Sequence, residues 1–154
     1  MRVQKTVKLE HATMAYSSEE DRIRLDGIDC AGRTIRLWFT ARLLSRLVTY
    51  LQSKINHSSF FSAQSRDAAS KDPYEVGGTW PEVNIDAGAL EVLVTSIDVT
   101  VESNHVALRY RGLDGEEKAE TVLTYQLLGQ WVRGVRRCFE NAGWPLELFL
   151  DERN

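Results

Sequence analysis

Arg22, Arg24, Arg36, Arg109 and Arg111, together with Trp38, are the residues whose type and spacing could do chemistry. They alternate with Ile23, Leu25, Ile35, Leu37 and Leu108, so if those apolar side chains face a core, the arginines and the indole project the opposite way. A basic sheet face bearing an aromatic ring can hold a phosphate backbone and stack a base, which makes this an anion or nucleic-acid surface. Asp21, Asp26 and Glu120 lie in or beside the same runs and can neutralise the stripe. An antiparallel sheet also ordinarily keeps one solvated face, so anion binding stands as the alternative reading.

The remaining reactive side chains are scattered. His11, His57 and His105 are far apart in the chain, whereas a histidine metal site needs two or more ligands to converge. Cys30 and Cys138 form no CxxC spacing, which removes the sequence basis for a disulfide framework or a zinc knuckle. Cys138 falls beside Val135 and Phe139 on an apolar helix face and behaves there as a small hydrophobe. Cys30 sits in a turn, with Arg33 the nearest cation that could lower its pKa. Glu19, Glu20, Asp21, Glu116 and Glu117 lie in polar turns, where a carboxyl gains little of the burial that general acid catalysis uses. The chain carries no phosphate loop, dinucleotide fingerprint, nucleophile elbow or HExxH, and Gly77–Gly78 lack the Lys-Ser/Thr of a P-loop. No catalytic residue, metal or cofactor is assigned, and the reading leans away from an enzyme.

Two segments instead suggest contact with a partner. Residues 57–88 show no sustained period, yet they hold Phe60, Phe61, Tyr74 and Trp80. Aromatics are depleted in disordered tethers and tend to find something to bury against. The C-terminal tail is apolar through Leu146, Leu148, Phe149 and Leu150. Such a tail packs on its own domain, pairs with a sheet edge or meets a partner. Phe60, Phe61, Tyr74, Trp80, Leu148 and Phe149 are therefore the candidate partner-binding residues.

The elements that must position these groups follow from hydrophobic spacing. Residues 2–9 alternate as a half-buried strand, with Val3, Val7 and Leu9 on one side. Runs around Ile23–Leu25 and Ile35–Phe39 flank Asp29–Gly32, and runs at 105–110 and 119–123 flank Asp114–Gly115, so each pair reads as a hairpin. Residues 90–101 are β-branched and long enough for a strand. Thr40 suits the N-cap of a helix over about 41–56, whose stripe runs through Leu43, Leu44, Leu47, Val48, Leu51 and Ile55. A second helix over about 125–142 stops at Gly143, with Pro145 close behind. Gly129 and Gly134 each weaken that helix by about 1 kcal/mol relative to Ala, which implies close packing against them. Arg42 and Arg46 on the first helix, and Arg133, Arg136 and Arg137 on the second, add two further basic faces.

Matching Thr40 to Thr124 also matches Leu43 and Leu44 to Leu127 and Leu128, and Val48 to Val132. The fold expected is α+β: an antiparallel sheet with two amphipathic helices, arranged as a pseudo-twofold repeat of three strands and a helix if the match reflects duplication. Four matches among Thr, Leu and Val also arise between unrelated amphipathic helices. The divisions are 1–56, the irregular 57–88 and 89–154, within one domain. A length of 154 residues suits a single core. Apolar content of 43% and charged content of 27% are those of a globular protein, and a net charge of −3 disfavours a general polyanion binder. The N-terminus lacks the apolar core of a signal peptide, and no apolar run reaches about 18 residues, so a cytoplasmic protein is expected. The functional expectation is a non-catalytic interaction module that contacts another protein or a second copy of itself. A ligand or enzymatic pocket under residues 57–88 is a further alternative.

Overall fold

Two tight turns set the register of the strands. In the first, the Asp29 amide donates to the Arg33 carbonyl at 3.0 Å and the Gly32 amide to the Asp29 carbonyl at 3.2 Å. Gly32 adopts a φ of 87° there, a region that glycine enters without a Cβ clash. The second turn repeats this bonding. The Gly112 amide donates to the Glu116 carbonyl at 3.2 Å and the Gly115 amide to the Gly112 carbonyl at 2.9 Å.

The computed structural model describes residues 6–55 and 83–149. Within them the chain is α+β, with two helices and two four-stranded sheets. Strands β1 (Val7–Lys8), β2 (His11–Ser17), β3 (Arg22–Ile28) and β4 (Thr34–Phe39) precede α1 (Ala41–Lys54). Strands β5 (Leu90–Leu93), β6 (Ser96–Val101), β7 (His105–Arg111) and β8 (Glu117–Thr124) precede α2 (Tyr125–Ala142). One sheet has the order β1-β8-β7-β6 and the other β2-β3-β4-β5. Sequence pattern alone leads one to expect purely antiparallel pairing, but each sheet contains a parallel pair, β1 with β8 and β4 with β5.

The parallel pairs arise because two stretches of chain serve both sheets. The Leu9 amide donates to the Glu120 carbonyl at 2.9 Å, and the next amide, Glu10, donates to Ile28 of the other sheet at 2.8 Å. The Val94 amide likewise donates to Trp38 and the Thr95 amide to Arg111, each at 2.9 Å. Strands that change sheet at a corner are how two packed sheets are joined at a steep angle. Each switching stretch pairs on one side before the crossing and on the other side after it. The run read from sequence as one strand over 90–101 is thus β5 and β6, which lie in different sheets. The alternation at residues 2–9 survives only as β1 among the described residues. Strand β2 was not anticipated; its Ala12, Met14 and Tyr16 pack partly buried against the core.

The helices follow the spacing closely. Thr40 Oγ1 accepts from the Leu43 amide and Thr124 Oγ1 from the Leu127 amide, each at 3.2 Å, so both helices begin on a threonine cap. Helix α2 ends at Gly143, whose left-handed φ of 74° lets the Trp144 amide return to the Phe139 carbonyl at 2.9 Å. Gly129 and Gly134 are both buried, and α2 packs on β2. Buried residues from both sheets and both helices form one cluster. Between the sheets, Phe39 and Tyr110 meet edge to face with ring centroids 5.5 Å apart. The halves share an element order and a sheet order, a topological correspondence that does not establish a sequence repeat.

Candidate functional site

The arginines singled out from sequence do not share one face. Arg22, Arg24, Arg36 and Trp38 lie in β3 and β4, whereas Arg109 and Arg111 lie in β7 of the other sheet. Each stands beside a carboxylate. Asp26, only 3% exposed, receives Arg36 Nε at 2.8 Å and Arg24 Nε at 3.2 Å. Arg109 Nε lies 2.9 Å from Glu120, Arg111 Nε 2.6 Å from Asp98, and Arg22 3.9 Å from Glu20. The Trp38 indole N–H donates to Glu91 at 3.0 Å.

The Asp26–Arg36 and Arg109–Glu120 pairs lie in two cross-strand rows. Thr13, Asp26, Arg36 and Glu91 stand abreast across β2-β3-β4-β5. Asp98, Arg109, Glu120 and Lys8 stand abreast across β6-β7-β8-β1. Opposite charges on neighbouring strands contribute roughly 0.2–1 kcal/mol per pair. The rows hold the side chains in place and offset most of the positive charge that a polyanion would require. Hydrogen bonding to Asp26 raises the pKa of Arg36 further above the usual guanidinium range, although burial opposes the shift.

Of the candidate partner-binding residues, Phe60, Phe61, Tyr74 and Trp80 lie outside the described residues. The tail turns back onto its own domain. Phe149 is 7% exposed and meets Phe139 edge to face at 5.3 Å, and Leu146 and Leu148 pack partly buried against the core. Trp144 bridges Phe139, at 5.0 Å, and Tyr16 of β2, at 5.4 Å. Sequence left three outcomes open for this tail, and packing on its own domain is the one adopted, because α2 ends beside the uncovered side of β2.

The corresponding place on β6 is not filled in this way. Strand β6 pairs with β7 on one side, and among the described residues no strand pairs with its other side. Beside it runs a groove of about 380 Å³, lined by Leu43, Arg46, Leu47 and Tyr50 of α1 and by Ile97, Asp98 and Val99 of β6. When the cap threonines are matched, Leu43, Leu47 and Tyr50 correspond to Leu127, Trp131 and Gly134 of α2. Trp131 is 1% exposed and Gly134 is buried, and α2 packs on β2. At the equivalent position of α1, Tyr50 is 41% exposed and lines the groove. Sequence gave notice of Arg42 and Arg46, but the apolar floor of the groove read as ordinary helix and strand core.

The other reactive groups do not gather into a site. Burial pushes the Cys138 thiol up to about 12, which leaves it protonated at neutral pH. Cys30 is exposed in its turn. His105 Nδ1 lies 2.8 Å from the Asn104 side-chain oxygen. Among the described residues, no three His, Cys, Asp or Glu side chains are placed to hold a metal ion. Among the same residues, no helix is long and apolar enough to cross a membrane. No protein-family model, curated protein or solved structure matches this chain.

Proposed function

We propose that this protein is a non-catalytic interaction module that takes up an extended segment of another protein on the side of β6 that no described strand pairs with. The observation that carries this reading is the combination of a strand edge that no described strand pairs with and an apolar groove directly beneath it. A strand added to an edge gains main-chain hydrogen bonds, while alternate side chains enter pockets and supply selectivity. Ile97 and Val99 face the same way as Tyr110 and Leu108 in the β6–β7 register. The inward side chains of an added strand would therefore continue that apolar row over Leu43, Leu47 and Tyr50. The contact surface moves accordingly from the tail, whose Phe149 is buried, to the α1–β6 groove. The module is read as cytoplasmic, a setting that suits its two free thiols.

A displayed library of random short peptides, selected on the intact chain, tests the proposal. The expected result is recovery of sequences with apolar residues at every second position. Their binding should shift the backbone amides of residues 96–101 and disappear in Val99→Lys with the fold retained. Recovery of no peptides, or of peptides that bind elsewhere and tolerate Val99→Lys, would overturn it.

A further inference from the structure

Resting on that reading, we infer that the segment seated at β6 is acidic, with apolar residues turned into the groove and carboxylates meeting the cationic side of α1. Arg42, Arg46, Tyr50 and Lys54 recur every fourth residue along α1, and all four are exposed. Residues at that spacing lie along one side of a helix. Arg46 and Tyr50 are themselves groove walls, and Lys54 Nζ lies 5.9 Å from the Tyr50 ring.

Among the described residues, the charge on this side is not offset locally. The arginines of the sheets stand beside Asp26, Asp98, Glu20 and Glu120. Arg42 and Arg46 have no carboxylate partner among the described residues, and the first turn of α1 contains no acidic residue. The positive end of the helix dipole adds to Arg42. On the opposite wall, Asp98 is bound by Arg111 at 2.6 Å, so its charge is already met. The groove therefore has an apolar floor, one neutralised wall and one cationic wall.

That combination selects a peptide over other anions. A phosphate backbone would satisfy Arg42 and Arg46, but it has neither strand amides for β6 nor aliphatic side chains for Leu43, Leu47, Ile97 and Val99. An extended chain that alternates branched apolar residues with Asp or Glu meets all three features at once. Charge complementarity of this kind speeds association and excludes basic competitors.

Fluorescence anisotropy with three synthetic peptides provides the test. Each peptide alternates Val with a second residue: Glu in the first, Ser in the second and Lys in the third. The Glu peptide is expected to bind best and to weaken as salt is raised. Arg46→Glu should weaken it by roughly tenfold while improving the Lys peptide, since a reversed charge replaces attraction with repulsion. Equal binding of the Glu and Ser peptides, unchanged by Arg46→Glu but lost in Val99→Lys, would overturn the acidic assignment and leave the edge reading standing. Loss of all three peptides, with none recovered from the displayed library, would remove both. A dimer dispersed by Val99→Lys would assign the edge to a second copy. Displacement of the Glu peptide by a single-stranded oligonucleotide lacking any apolar requirement would assign the helix side to polyanions. Either result would overturn the inference.

Discussion

Tyr16 and Trp144 pack edge to face with ring centroids 5.4 Å apart, and this contact joins the chain beyond α2 to the free side of β2. Phe139 and Phe149 extend the aromatic group inward at 5.3 Å. The β2 side of the molecule is thereby closed by its own tail, while β6, its topological counterpart, borders a groove.

If the tail closes that side, shortening it should cost stability. Phe149→Ala is expected to lower the unfolding free energy by about 3 kcal/mol, the order found when a buried phenylalanine is truncated. Chemical denaturation followed by tryptophan fluorescence measures it. A change within 0.5 kcal/mol, roughly the range of ordinary surface substitutions, would mean that the tail contributes no packing.

Gly134 is buried on α2, where a larger side chain would have to displace its neighbours. Placing a leucine there should destabilise the protein by about 1–3 kcal/mol, as overpacking does. The same denaturation measurement applies, and Gly134→Ala should be much milder because a single methyl is offset by better helix propensity. Equal effects of the two substitutions would argue against close approach at this glycine.

Asp26 holds two arginines while being itself almost inaccessible. Asp26→Ala is expected to cost about 2 kcal/mol, below the cost of breaking a fully buried pair because both arginines reach solvent. Replacing Arg24 in the Asp26→Ala background should then have little additional effect. Additive losses in that double-mutant cycle would show that Arg24 and Asp26 act independently.

The turn at Asp29 predicts a pH dependence. Its burial would raise the carboxyl pKa, but the Arg33 amide and guanidinium and the Ala31 amide outweigh that and hold it below its ordinary value of 3.8. A folded pKa below the unfolded one means that the stabilisation is complete above pH 3.8 and disappears as pH falls through the folded value. Asp29→Asn should therefore lower Tm near neutrality, and its deficit should shrink in acid. A deficit independent of pH down to acid denaturation would rule out this linkage.

Much of the fold could be read in the sequence for local reasons. Thr40 and Thr124 cap the helices that their spacing announces, and Gly32, Gly115 and Gly143 occupy the left-handed positions that turns and helix stops require. The crossing of residues 7–17 and 90–101 between sheets was not legible, because backbone hydrogen bonds determine it and no side-chain period records it. Asp26 and Glu120 were recognisable as possible neutralisers of the arginines. Division of the arginines between two sheets was not recognisable, since alternation gives the side of a strand and not the identity of its sheet. The groove escaped notice because Leu43, Leu47, Ile97 and Val99 are typical core residues.

The most direct test of the central claim is hydrogen exchange of the β6 backbone amides, with and without the alternating Val and Glu peptide. Those amides of Ser96–Val101 that point away from β7 are predicted to exchange readily in the free protein and to become protected in the complex. Protection should be absent in Val99→Lys. Binding that leaves the β6 amides unprotected would contradict strand addition at this edge.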